Sequence, residues 1–230
     1  MAGRVVLIDF DGTLAMRPGL WGACVLELLD ELEPGHGIEL ERLRAGLRGG
    51  FPWHRADEPH LELRDPDAWW APVHELIARV LVEAGLEAER ATELARATRQ
   101  RFCDPTRGWV LFEDSLPALA RLREAGWRCA VLSNHVPELP ALAAGLGLSD
   151  HVDVIVTSAT IGYEKPHPEA FRIALRTAGD PDEAWMVGDN PIADVAGAEA
   201  VGLPAVLVRR AGEARLRAED LHGAVDLILG

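Results

Sequence analysis

Short apolar runs alternate along this chain with longer stretches in which apolar residues recur every three or four positions. Val5-Val6-Leu7-Ile8 is an unbroken run of branched residues, the pattern of a strand buried on both faces. From about Gly19 to Arg107 the spacing is helical and no strand stands out. One helix is predicted over residues 21–32, with Val25, Leu28, Leu29 and Leu32 in helical register, and a second over 39–47, ahead of the Gly49-Gly50-Phe51-Pro52 break. Asp65-Pro66 reads as an N-cap followed by proline in the first turn. The helix it opens runs through Trp69, Val73, Ile77 and Leu81 to a stop at Gly85, and another runs over 87–102.

From Gly108 onward the periods alternate. Helices are predicted over 116–125, 138–146, 168–178 and 192–200; strands are predicted over 128–132, 152–156, 184–187 and 205–208, with 225–229 as a candidate last strand. Strands separated by helices imply a parallel sheet with right-handed crossovers, and such sheets bind ligands at the carboxyl ends of their strands. The expected fold class is α/β: a Rossmann-like parallel sheet core over 1–15 and 108–230, with an α-helical cap domain, 16–107, inserted after the first strand.

Composition narrows the function classes. The 230 residues carry 23 basic and 37 acidic side chains, a net charge of −14, and no basic stripe, so nucleic acid is not an expected partner. No apolar run approaches the roughly 18 residues of a membrane span. Met1-Ala2-Gly3-Arg4 leads into only four apolar residues before Asp9, too few for a signal peptide. Cys24, Cys103 and Cys129 are scattered without metal-ligand spacing and read as small buried hydrophobes in a reduced cytoplasm. Lys165 is the only lysine, beside 22 arginines, which suggests a position that needs a compact ammonium.

The polar residues at the strand ends supply the chemistry. Asp9 and Asp11 project to one side because strand side chains repeat every two residues, and two such charges need a cation or a shared proton. Gly12 lets the backbone turn and approach a ligand closely. Ser133-Asn134 ends a later strand, Lys165-Pro166 lies on a loop entering a helix, and Asp189 and Asp194 follow the strand that ends at Val187. Phosphoryl transfer calls for such parts. A hard cation on oxygen donors, an ammonium and a hydroxyl shield the phosphate oxygens; one carboxylate attacks and a second acid handles protons.

Asp9-Phe10-Asp11-Gly12-Thr13-Leu14, Ser133-Asn134, Lys165-Pro166 and Gly188-Asp189 with Asp194 resemble, in order and spacing, the four motifs of the haloacid dehalogenase-like hydrolase superfamily. The helical insertion resembles that of its helical-cap phosphatases. The resemblance implies a cytoplasmic Mg²⁺-dependent phosphatase, monomer or homodimer, that acts on a small phosphorylated metabolite through an aspartyl-phosphate. It implies Asp9 as nucleophile and metal ligand, and Asp11 as general acid/base whose carbonyl also binds the metal. Ser133, Asn134 and Lys165 would bind phosphate, Asp189 would complete the metal site, and Gly12, Thr13 and Asp194 would support it. True dehalogenases lack a carboxylate at the position of Asp11, so dehalogenation is disfavoured.

Other residues leave alternatives open. His135 reads as a loop histidine or a substrate contact. Trp53, His54, His60, Arg64, Trp69 and Trp70 could line a substrate pocket, although Trp69 keeps helical register with Val73 and so reads as core. The rival functions are a phosphomutase of the same superfamily and a phosphorylation switch or binding module that loads phosphate without turnover. A phosphonate hydrolase would need a lysine in the cap, and this cap has none.

Overall fold

The fold is described from a computed structural model over residues 3–230. Strand β1 (Arg4–Ile8) is the pivot of a six-stranded sheet. It pairs in parallel with β4 (Arg128–Ser133) on one side and β6 (Glu183–Gly188) on the other. Beyond β4 lies β5 (Val154–Thr157); beyond β6 lie β7 (Ala205–Val208) and β8 (Leu216–Ala218), again all parallel. The chain fills the β4 side first and then crosses to β6, so the winding reverses beside β1. Crossovers depart to opposite sides there and leave a crevice at the carboxyl end of β1.

Both faces of the sheet are covered, as the Val5–Ile8 run requires. Val5 and Leu7 pack with Leu132, Met186, Phe171 and Leu207 in one layer. Val6 and Ile8 pack with Val131, Val187, Leu119 and Leu221 in the other. The first layer holds α8 (Pro168–Thr177), and the second holds α5 (Ser115–Glu124) and α10 (Leu221–Leu229).

Between β1 and α5 the chain leaves through β2 (Ala15–Met16) and returns through β3 (Val110–Leu111), an antiparallel pair. Between them stand α1 (Leu20–Leu32), α2 (Leu40–Gly46), α3 (Pro66–Glu83) and α4 (Ala88–Cys103). Asp65 caps α3 by accepting from Asp67 and Ala68 N–H, as expected. Stacked rings fill this helical segment: Trp21 lies on Phe102 at 4.0 Å and Phe51 on Trp53 at 4.6 Å. It is tied to the sheet domain by Trp70 Nε1, which donates to Glu138 at 3.1 Å, and by His60 N–H, which donates to the Gly162 carbonyl at 2.7 Å.

Two expected elements are corrected. Residues 225–229 are not a strand but the end of α10, and the last strand is β8. Leu221, Ala224, Val225 and Ile228 form the buried face at a helical period, and Asp220 caps the helix by accepting from Gly223 N–H. Reading the apolar tail alone hid that period. The short β2–β3 pair and the single-turn helix α7 (Ser158–Ile161) carry too few residues for a periodic signal. Residues 192–200, expected as one helix, are a π-helix over Pro191–Ala196 followed by α9 (Gly197–Ala200). Among the described residues no helix is long and apolar enough to cross a membrane.

Candidate active site

Asp9 stands one residue beyond β1, its N–H donating to the Val187 carbonyl of β6 at 2.9 Å. The chain then turns tightly, with the N–H groups of Leu14 and Ala15 both bonded to the Phe10 carbonyl at 2.9 Å. Gly12 holds φ +84° in this turn, and a Cβ there would lie 2.5 Å from Asp189 Oδ2. Glycine is therefore required twice over, for the left-handed backbone and for the close approach of a carboxylate. Gly188 plays the second part at the end of β6, where a Cβ would fall 2.2 Å from Asp194 Oδ2.

The lone lysine reaches across the crevice. Lys165 is 3% exposed, and its Nζ lies 2.8 Å from Asp9 Oδ1 and 2.5 Å from Asp194 Oδ1. Burial works against its charge, but Asp194 and Asp9 overcome it and raise the ammonium above its ordinary value. Asp194 is fully buried; its other oxygen accepts from Asn190 N–H at 2.9 Å. Burial drives its carboxyl upward against the pull of Lys165. The π-helix widens the turn that presents Asp194, and Asn190 caps it by accepting from Ile192 and Ala193 N–H.

Eight of the nine residues singled out from the sequence (Asp9, Asp11, Gly12, Ser133, Asn134, Lys165, Asp189 and Asp194) line one cavity of about 810 Å³. Thr13 lies outside its lining, fully buried in the turn beneath. Asn134 commits its amide to Lys165: Nδ2 donates to the Lys165 carbonyl at 2.8 Å and Oδ1 accepts from its N–H at 2.7 Å. Desolvation pushes Asp11 up to about 7, with the charges of Asp9 and Asp189 adding to it. Asp189 is likewise raised by burial first and by Asp9 second.

Carboxylate oxygens of Asp9, Asp189 and Asp194 lie within 4.8 Å of one another. This donor set is all oxygen and buried, and it fits a hard divalent cation such as Mg²⁺. Asp194 spends one oxygen on Lys165 and the other on Asn190 N–H, whereas Asp9 and Asp189 each pair with a cation through one oxygen, Lys165 and Arg210 in turn, and keep the second to offer a metal.

The open alternatives separate. Trp53 and His54 line the cavity; Trp69 and Trp70, each 1% exposed, do not and belong to the core. His60 is buried with its ring near the Pro52 and Arg55 carbonyls, and Arg64 bonds its own turn at Leu61. His135 lines the cavity with its ring packed among Phe10, Phe102 and Trp109; burial holds it down to about 4, so it is neutral. Cys24 and Cys129 are buried thiols pushed up to about 12 by desolvation, and Cys103 is raised too; all three are free.

Sequence reasoning missed the cavity's aromatic wall of Trp21, Phe51 and Phe102, and the arginines Arg44, Arg48 and Arg210. The wall has no motif. Arg210 had a signal, because Arg209-Arg210 follows β7 as the other polar pairs follow their strands.

A parallel sheet with carboxylates and a buried ammonium gathered at its switch point defines a Rossmann-like α/β enzyme. The chain belongs to the haloacid dehalogenase-like hydrolase family, whose pattern it matches over residues 4–202. It is 40% identical over 181 residues to the phosphoserine phosphatase of Thermus thermophilus, covering 77% of this chain and 69% of that one. It is 38% identical over 217 residues to the phosphoglycolate phosphatase of Rhodospirillum rubrum, covering 89% and 79%. Its fold matches that of the HAD-hydrolase YfnB of Bacillus subtilis, solved with magnesium, at a TM-score of 0.72 and 17% identity over the whole of both chains.

Proposed function

We propose that the protein is a Mg²⁺-dependent phosphatase that releases phosphate from a small phosphorylated metabolite in the cytoplasm, through an aspartyl-phosphate on Asp9. The observation that carries this reading is the Lys165 ammonium 2.8 Å from Asp9 Oδ1 at the floor of the cavity. The phosphatases named above support it. The helical segment from α1 to α4 acts as the cap over the cavity and brings the aromatic wall to the leaving half of the substrate.

Mg²⁺, held by Asp9, Asp189 and the Asp11 backbone carbonyl, would supply charge neutralisation for the phosphate oxygens. Lys165 neutralises the phosphate oxygens beside Asp9. Ser133 donates its hydroxyl to the phosphate, and Asn134 holds the lysine loop in place. Asp9 then attacks phosphorus, and the bond to the leaving oxygen breaks. Asp11, poised near neutrality, gives that oxygen its proton and afterwards takes one from the water that attacks the aspartyl-phosphate. Asp9 is thereby regenerated and phosphate leaves.

The test is phosphate release with Mg²⁺ from a panel of phosphate monoesters, comparing wild type with Asp9→Asn. Release by wild type and loss in the variant is expected. Equal rates would defeat the nucleophile, and no release by wild type from any ester would defeat the phosphatase.

A further inference from the structure

The buried acids of the cavity draw their countercharge from two unlike cations. Lys165 serves Asp9 and Asp194 and is 3% exposed. Asp189 is served by Arg210, whose guanidinium lies 3.0 Å from Asp189 Oδ2. The Arg210 side chain is 60% exposed, against 11% for that of Asp189. Among the described residues no other carboxylate pairs with it.

The neighbouring Arg209 sets the direction of this arm. Its backbone holds φ +60°, a region that few residues other than glycine adopt. Its side chain is anchored: Nε donates to the Thr13 carbonyl at 3.0 Å, the guanidinium pairs with Asp114 at 2.5 Å, and it covers the Phe112 ring at 3.8 Å. One arginine thus clamps the turn that carries Asp11. The next reaches into the same cavity with its far end in water.

Resting on the metal-dependent reading above, we propose that Arg210 is an exchangeable counter-ion of Asp189. It holds this carboxylate while no divalent cation is bound and yields it when one arrives. It is then free to meet an anionic substrate in the cavity it lines. The physical reason is competition for one carboxylate. A divalent cation on Asp189 draws its charge from the guanidinium 3.0 Å away and repels it, so the pair lowers apparent metal affinity. Because the guanidinium returns to water, the exchange is easy. Lys165 is buried between two carboxylates and stays.

The experiment is calorimetric titration of wild type, Arg210→Gln and Arg210→Lys with MgCl₂ in the absence of substrate, together with melting in EDTA and in saturating Mg²⁺. Arg210→Gln is expected to bind Mg²⁺ about threefold tighter or more, as loss of one exposed ion pair predicts. It should melt below wild type in EDTA and level with it in Mg²⁺, and Arg210→Lys should move both readouts back toward wild type. Equal or weaker Mg²⁺ binding in Arg210→Gln overturns the proposal. So does an equal melting loss in both conditions, the mark of a merely structural arginine. A wild type that shows neither heat nor a melting shift with Mg²⁺ overturns the metal-dependent reading, and this inference with it.

Discussion

Asn134 and Lys165 clasp each other through two hydrogen bonds, side-chain amide to backbone, across 31 residues of sequence. The clasp joins the end of β4 to the loop before α8 and so fixes where the lysine starts its reach toward Asp9. Asn134→Ala leaves a Lys165 N–H and carbonyl without partners. It is expected to cost about 1–3 kcal/mol in urea denaturation. Phosphate release should fall with it, because Lys165 loses its aim.

Lys165→Met removes the only ammonium from between two buried carboxylates. An uncompensated buried charge costs about 3–5 kcal/mol, and loss of the oxyanion partner lowers turnover by about 10²–10³-fold. The stability loss should shrink as pH falls through about 7 and Asp194 takes up its proton. Urea unfolding at about pH 5 and about pH 8 checks this; an equal loss at both would argue against the pairing.

Glu164 is 2% exposed, and burial pushes its carboxyl up to about 7 from 4.5. The folded state therefore binds its proton more tightly than the unfolded chain does. The stability this lends is complete below pH 4.5 and is lost as pH rises through 7. Glu164→Gln cannot deprotonate. It should lack that slope, so the variant gains on wild type steadily between those two values. Parallel stability profiles would overturn the assignment.

Gly12→Ala places a methyl against Asp189 Oδ2 and forces a left-handed backbone on an L side chain. The backbone alone costs roughly 1–2 kcal/mol. Asp189 must also move, so Mg²⁺ affinity by calorimetry and phosphate release should both fall, beyond what the stability loss explains. Gly85→Ala, where a Cβ meets nothing at φ +110°, is the control for backbone strain without a displaced carboxylate.

Much of this was legible in the chain because strands and helices write their own periods. Val5–Ile8, Asp65-Pro66 and the acidic strand ends announced β1, the cap of α3 and the floor of the cavity before any contact was known. The exceptions are instructive. Trp69 and Trp53 are the same residue type in the same segment, yet one is core and the other faces the cavity. Residues 225–229 looked like a strand because an apolar run has no period until its polar neighbours are counted.

The sequence by itself determined which side chains could do chemistry, since type, order and strand-end position follow from local pattern. Tertiary structure alone decided which charges meet: that Lys165 divides itself between Asp9 and Asp194, that Asn134 holds Lys165 by its backbone, and that Arg210 covers Asp189. These pairings span up to 156 residues of chain. Local propensity acts over a few residues; a distance of 3 Å between distant side chains exists only once the sheet has packed.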